Sequence, residues 1–125
     1  MPTFRILLVE DDPDIRTVFR VALMSAGYAV REVVDGLDAI GALQAEAFDM
    51  IITDLSMPRV DGVSALDTFA LMPNGQNIPI IAVSAVDDPA VEQRTLDSGA
   101  VVFLHKPLTA RELIDEVRKY LSSQT

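Results

Sequence analysis

The sequence predicts a doubly wound α/β domain, in which five helices cover a five-stranded parallel sheet. Short apolar runs of strand length alternate five times with stretches whose apolar residues recur at helical spacing. Helix ends are also visible, because Asp12-Pro13 is a typical helix start and Gly27 a typical helix end. Right-handed crossovers between parallel strands leave three candidate strand orders. Of these, the flavodoxin-like order 2-1-3-4-5 is the commonest at this size.

The predicted elements follow one another without a linker or an internal repeat. The first strand is apolar on both faces, as a buried parallel strand should be, and the last helix opens with a capping box at 109–112. The predicted strands are residues 5–10, 28–34, 49–54, 78–84 and 100–104. The predicted helices begin after Asp12, after Asp35, at about 62, at about 89 and after Thr109.

Composition narrows the class of protein. The 125 residues make one domain, 1–125, in which 122–125 form a polar tail. Half of the residues are hydrophobic, which excludes a disordered chain, and a net charge of −9 argues against binding to nucleic acid phosphates. There is no cysteine, and the longest apolar runs are far shorter than a membrane span. We therefore expect a cytoplasmic protein that binds neither nucleic acid nor membranes.

A functional site is predicted around Asp54. This residue ends a buried apolar run, and open α/β sheets bind ligands beyond the carboxyl ends of their strands. If strands 1 and 3 are neighbours, Glu10 and Asp11 lie beside Asp54. Each close pair of carboxylates costs roughly 4 kcal/mol at an effective dielectric constant of about 20, so either some of them are protonated or a hard cation lies among them. Oxygen ligands without a nearby histidine favour Mg²⁺.

Part of the acidic segment has a simpler explanation. Acidic residues are enriched at helix N-termini, where they complement the helix dipole. Asp12 fits the capping position of the first helix, and Asp14 fits its first turn. We therefore leave these two residues out of the predicted metal site.

Two further strand ends add a hydroxyl and an ammonium group to the same edge. The fourth strand ends at Ser84, and the fifth leads into Lys106-Pro107. Carboxylates, a hydroxyl and a lysine form a suitable set for transferring a phosphoryl group onto a carboxylate. Mg²⁺ and Lys106 would neutralise the phosphoryl oxygens, and Ser84 would donate a hydrogen bond to one of them.

Taken together and in order, these motifs resemble the receiver domain of bacterial two-component response regulators over essentially the whole chain. The motifs that carry the resemblance are Ile6-Leu7-Leu8-Val9-Glu10-Asp11-Asp12, Asp54-Leu55-Ser56-Met57-Pro58 with Asp61-Gly62, Ser84-Ala85 and Lys106-Pro107. The resemblance implies a phosphorylation-activated signalling switch that changes the surface formed by the fourth helix, the fifth strand and the fifth helix to control a partner. It implies no catalytic turnover beyond the domain's own phosphorylation and dephosphorylation.

The resemblance also implies a role for each matching residue. Asp54 would be the phosphoacceptor and Lys106 the phosphate-contacting lysine. Asp11 would bind Mg²⁺ directly and Glu10 through water, with the backbone carbonyl of Ser56 completing the protein ligands. The remaining implied features are a switch hydroxyl at Ser84, a switch aromatic at Phe103 and a cis Lys106-Pro107 bond. Glu10 departs from the more usual aspartate, and Phe103 has no hydroxyl.

The expected partners are a histidine kinase or histidine phosphotransfer protein and a downstream effector. The chain is expected to be a monomer or a phosphorylation-dependent dimer. Arg16 and Arg20 are candidate docking charges, and His105, the only histidine, is expected to face a partner.

Three other functions are conceivable for a domain of this fold. A receiver-like module that binds partners without phosphorylation remains the main alternative. An aspartate-nucleophile phosphatase would need a second acid where Ser56 stands, and flavin binding would need a phosphate-binding loop that the sequence lacks.

Overall fold

The computed structural model describes residues 3–55 and 62–121 of the chain. The strands are β1 (Arg5–Val9), β2 (Ala29–Val33), β3 (Met50–Asp54), β4 (Ile80–Ser84) and β5 (Val102–His105). The helices are α1 (Pro13–Ser25), α2 (Gly36–Ala45), α3 (Gly62–Leu71), α4 (Pro89–Asp97) and α5 (Ala110–Tyr120). All strands are parallel, and their order across the sheet is β2-β1-β3-β4-β5. The predicted fold and the flavodoxin-like order are confirmed.

The sheet separates two hydrophobic layers. Alternate residues of a strand point to opposite faces, so Leu7 and Val9 of β1 join one layer while Ile6 and Leu8 join the other. The first layer includes side chains from α2 and α3, and the second includes side chains from α1 and α5. Both faces of the central strands are therefore buried, which explains why their sequences are apolar throughout.

The predicted helix starts are confirmed by their capping bonds. The Asp12 carboxylate accepts from the amide of Asp14 at 2.9 Å, and Asp35 accepts from the amide of Asp38 at 2.9 Å. In α5, Thr109 and Glu112 exchange two bonds of 3.1 Å, the reciprocal pattern of a capping box. Each bond satisfies an amide that would otherwise lack a partner at the helix end.

Two strands start two residues later than the sequence predicts, at Ile80 and Val102, whereas β2 and β3 each start one residue later. β4 begins at Ile80 because Pro79 has no amide hydrogen for the ladder, although its carbonyl still accepts from Ile51 at 3.0 Å. β5 begins at Val102, since the amide of Ala100 bonds back to Thr95 and closes α4 instead. In the part of the chain that the structure describes, no helix has the length and apolar character needed to cross a bilayer.

Candidate functional site

The strand register brings the predicted site residues to one edge of the sheet. Val9 pairs with Thr53 across β1 and β3. The residues that follow them, Glu10 and Asp54, therefore lie side by side. On the other side of β3, Asp54 pairs with Val83 of β4. The carboxyl ends of β1, β3 and β4 therefore meet at this edge.

Glu10, Asp11 and Asp54 form an acid cluster. One carboxylate oxygen from each residue lies within 4.8 Å of the others. Glu10 and Asp54 are buried, at 1% and 3% exposure, whereas Asp11 is exposed. The cluster is therefore open to solvent on the Asp11 side and closed beneath.

Lys106 bridges two members of the acid cluster. Its Nζ donates to Glu10 Oε1 at 3.0 Å and lies 3.3 Å from Asp54 Oδ2. Burial alone would lower the pKa of Lys106, but the hydrogen bond to Glu10 and the charge of Asp54 outweigh it and raise that pKa. The lysine is therefore a fixed positive charge directly beside Asp54.

Glu10 is the most perturbed carboxyl of the cluster. Burial raises its pKa to about 7, and the Asp54 carboxylate contributes to the increase. The hydrogen bond from Lys106 and one from the Asp12 amide, at 3.2 Å, act in the opposite direction. Desolvation is the larger influence, and a further positive charge nearby would favour the ionised form of Glu10.

Ser84 is fully buried at the end of β4. Its Oγ accepts a hydrogen bond from the Val86 amide at 3.0 Å, and its carbonyl accepts from the Lys106 amide at 2.8 Å. The first bond leaves the hydroxyl hydrogen available to an acceptor. The second ties the start of the β5–α5 connection to β4.

A sequence model of the response regulator receiver domain matches residues 6–118. The chain belongs to this family. Response regulator MprA of Mycolicibacterium vanbaalenii is 33% identical over 121 residues, which are 97% of this chain and 52% of the relative. The chain thus spans about half the length of the MprA proteins that it matches. A 14.6 kDa uncharacterised protein of Leptolyngbya boryana, also 33% identical, is covered over 88% of its length, with 92% of this chain aligned.

Solved receiver structures share the fold closely. The chemotaxis protein CheY4 of Vibrio cholerae is 28% identical with a TM-score of 0.90, covering 96% of this chain and all of that one (100%). The receiver domain of the Pseudomonas aeruginosa sensor histidine kinase PA1611 is 34% identical with a TM-score of 0.87, over 98% of this chain and 100% of its own. That structure holds a magnesium ion coordinated in its active-site cleft.

The acid cluster of this receiver domain suits a hard divalent cation. Glu10, Asp11 and Asp54 offer only oxygen ligands, and the open side at Asp11 leaves room for the waters that Mg²⁺ retains. A cation there would also favour the ionised form of Glu10. Ser56, the other predicted ligand, lies outside the described residues.

Phe103 and His105 lie on the same side of β5. Phe103 is buried, and its ring meets the His105 imidazole edge-on with the ring centroids 4.9 Å apart. His105 is exposed, and its Nε2 lies 3.8 Å from Glu92 on α4. The Lys106-Pro107 bond is cis, as the resemblance implied.

The two arginines suggested as docking charges have partners within the domain. Arg16 Nη1 donates to the Glu10 carbonyl at 2.9 Å, and Arg20 pairs with Glu32 at 2.9 Å. The contact of Arg16 with the acidic loop was not predicted from sequence. Its spacing of one helical turn beyond the cap Asp12 is the only signal that could have suggested it.

An open groove of about 240 Å³ lies beside the acid cluster, between α1 and residues 106–108. Its lining is mainly apolar and includes Ile15, Val18 and Leu108, with Lys106 at the side of the site. The groove therefore adjoins the acid cluster through Lys106, which lines the groove and contacts Glu10 and Asp54.

Proposed function

We propose that this receiver domain accepts a phosphoryl group on Asp54 from a phosphohistidine, in a Mg²⁺-dependent reaction, and so switches a downstream partner. The observation that carries the proposal is the position of Lys106, whose Nζ lies 3.3 Å from Asp54 within the acid cluster. Phosphoryl transfer depends on positioning and charge neutralisation, and this arrangement supplies both.

In the proposed transfer, an Asp54 carboxylate oxygen attacks the phosphorus atom in line with the bond to the donor histidine. A phosphorus–oxygen bond forms, the phosphorus–nitrogen bond breaks, and its electron pair returns to the imidazole. Lys106 neutralises charge on the transferred group, and the Ser84 hydroxyl donates to one of its oxygens. Bound Mg²⁺ supplies further neutralisation of these oxygens.

Four groups of this chain would hold the ion. Asp11 would bind the ion directly, as the family resemblance implies, and its carboxylate lies on the open side of the cluster. Glu10 would bind through water, as the resemblance also implies, and Lys106 already occupies one of its oxygens. Asp54 and the backbone carbonyl of Ser56 complete the set, as the family resemblance implies.

The switch would begin at Ser84 and spread to β5 and α4. Movement of the Ser84 hydroxyl toward a phosphoryl oxygen disturbs its bond from the Val86 amide, at the start of the connection to α4. Phe103 is already buried at 6% exposure. Phosphorylation would therefore stabilise this buried position rather than create it.

The direct test is labelling with acetyl phosphate and Mg²⁺, followed by intact-mass measurement. We expect one phosphoryl group on the wild-type chain and none on Asp54→Asn. Asp14→Asn serves as the control, because Asp14 is an exposed acid of α1 outside the cluster. Labelling retained in Asp54→Asn would show that Asp54 is not the phosphoacceptor.

The alternative of an interaction module that needs no phosphorylation is not favoured. Such a module would not require a half-buried lysine held between two carboxylates, an arrangement that is costly to desolvate. Failure of the wild-type chain to bind Mg²⁺ or to become phosphorylated would revive this alternative.

The partners and context of the domain are part of the proposal. Membership of the family implies a histidine kinase and a downstream effector. The donor would be that kinase or a histidine phosphotransfer protein, approaching along the groove beside α1. We also predict that residues 1–125 form a single domain, which is a monomer or a phosphorylation-dependent dimer. A cytoplasmic location and the absence of direct nucleic acid binding likewise stay predictions.

A further inference from the structure

The loop between β1 and α1 carries two of the three acids of the cluster, and Arg16 of α1 reaches back to it. Arg16 Nη1 donates to the Glu10 carbonyl oxygen at 2.9 Å and lies 3.5 Å from the Asp11 carbonyl oxygen. The shorter contact is a well-formed hydrogen bond from a charged donor, and the longer one is at the limit of hydrogen bonding.

These carbonyls matter because of where they lie in the chain. The carbonyl of Glu10 belongs to the peptide group that joins Glu10 to Asp11. A peptide group is planar, so a bond that fixes its carbonyl also fixes the direction in which the Asp11 main chain leaves it. Arg16 therefore restrains the backbone that sets the Asp11 carboxylate relative to Glu10 and Asp54.

The neighbouring bonds restrain other parts of the loop. The Glu10 amide donates to the Val33 carbonyl at 3.1 Å, and the Asp12 amide donates to the Glu10 carboxylate at 3.2 Å. Among residues 3–55 and 62–121, Arg16 makes no salt bridge with a carboxylate, so its guanidinium is directed at the backbone of this loop. Repulsion between the three acids opposes their arrangement, and this restraint counteracts it.

We infer that Arg16 is a positioning residue for the Mg²⁺ ligands of this receiver domain. It holds the Glu10–Asp11 peptide so that the exposed Asp11 carboxylate faces Asp54 before the ion arrives. The inference rests on the proposed Mg²⁺ binding by the acid cluster. Groups that orient metal ligands typically change metal affinity by about 10- to 100-fold when they are removed.

A purely electrostatic role for Arg16 predicts the opposite result. A positive charge beside the cluster repels an incoming cation, so removal of that charge alone would strengthen Mg²⁺ binding. Removal of a positioning contact weakens binding instead. The sign of the change in Mg²⁺ affinity therefore distinguishes the two roles.

The experiment is a Mg²⁺ titration of the full chain followed by amide NMR, for wild type, Arg16→Ala, Arg16→Lys and Arg20→Ala. We expect the dissociation constant of Arg16→Ala to rise by about tenfold. Arg16→Lys retains the charge but not the planar fork, so it should recover only part of the affinity. Arg20→Ala is the matched control, because Arg20 lies one turn further along α1 and pairs with Glu32.

A second readout needs no metal. In the metal-free proteins, Arg16→Ala should shift the amide resonances of Asp11 and Asp12 while leaving those of β3 and α5 unchanged. Arg20→Ala should leave the loop resonances in place. If Arg16→Ala does not fold, Arg16→Lys carries both measurements.

Binding of Mg²⁺ by Arg16→Ala as tightly as, or more tightly than, by wild type would overturn the inference. So would unchanged loop resonances in the metal-free variant. A wild-type chain that binds no Mg²⁺ would instead contradict the proposed function, and the metal-free comparison would still report whether Arg16 holds the loop.

Discussion

Glu10 shows how one buried carboxyl links the stability of this domain to pH and to metal. Burial raises the pKa of Glu10 from 4.5 to about 7 in the folded chain. The folded state then binds more protons than the unfolded state between these two values. The contribution of Glu10 to stability is complete below about pH 4.5 and is lost as the pH rises through about 7.

Replacement of Glu10 by glutamine removes this dependence. Without Mg²⁺ at pH 8, we expect Glu10→Gln to have a free energy of unfolding higher than wild type by on the order of 1–3 kcal/mol. The amide oxygen can still accept from Lys106. At pH 5 the two proteins should be nearly equal in stability. Urea unfolding in a chelating buffer at the two pH values measures the difference.

Glu32→Gln is the control for this comparison, because the Glu32 side chain is exposed at 41% and has little desolvation cost to relieve. A gain in stability of Glu10→Gln that is the same at pH 5 and pH 8 would contradict the assignment. If Glu10 helps to hold Mg²⁺ as proposed, the same variant should also bind Mg²⁺ more weakly than wild type.

At the scale of elements, the connection after α3 depends on a close backbone approach that the sequence does not show. Gly75 is buried, and a Cβ there would overlap the carbonyl oxygen of Phe69 and lie 2.8 Å from its carbonyl carbon. Nearby, Asn74 donates to the carbonyls of Leu43 and Glu46 at 2.8 Å and so closes the end of α2. This turn therefore joins α3 to α2.

Two glycine substitutions should act in opposite directions. Gly75→Ala forces the backbone near Phe69 to move and should lower the free energy of unfolding by roughly 1–3 kcal/mol. Gly41→Ala lies in the exposed interior of α2 with open space around the new Cβ, and it should raise that free energy by about 0.5–1 kcal/mol. Thermal and urea unfolding of both variants, compared with wild type, provide the measurement.

A neutral or stabilising Gly75→Ala would mean that the connection is looser than the structure describes. Since neither glycine lies near the acid cluster, acetyl phosphate labelling of both folded variants should match wild type.

At the scale of the whole molecule, the sheet connects the site to a distant face. Ser84 pairs with His105 across β4 and β5, and the Lys106 amide donates to the Ser84 carbonyl. His105 in turn contacts Phe103 and lies near Glu92 of α4. A change at Ser84 therefore has a continuous path of contacts to α4 and β5.

Addition of Mg²⁺ and beryllofluoride, which imitates a phosphoryl group on a carboxylate, should reveal this path. We expect amide shifts at Asp54 and Ser84, and also along α4 and β5, with smaller changes on the α2 side of the sheet. Contacts made only in the phosphorylated state would favour the active conformation. A shift of the ratio of active to resting conformation from 1:99 to 99:1 requires about 5.5 kcal/mol of such differential interaction. Asp54→Asn should show none of these changes.

Shifts confined to the residues that touch the bound group would contradict the switch while leaving phosphorylation intact. Shifts equally large on every helix would indicate a general change in stability rather than a directed one.

Much of this architecture was predictable because its signals are local. Short stretches of sequence were enough to predict the helix caps at Asp12, Asp35 and Thr109 and the apolar strand cores. The structure confirms these features. The site residues stand immediately after strand cores, so a parallel sheet had to bring them to one edge. The starts of β4 and β5 were missed because Pro79 has no amide hydrogen to donate and the amide of Ala100 bonds back to Thr95 of α4.

Residue type and order were enough to predict the alternation of strands and helices, and to place acidic residues and a lysine just beyond strand ends. The folded chain was needed to establish the neighbours of β1, the contacts of Lys106 with Glu10 and Asp54, and the bond from Arg16 to the acidic loop. These contacts form between residues that are far apart in the sequence, and they depend on strand order, side-chain direction and burial. All three are set by the packing of the whole chain, which no short stretch of sequence specifies.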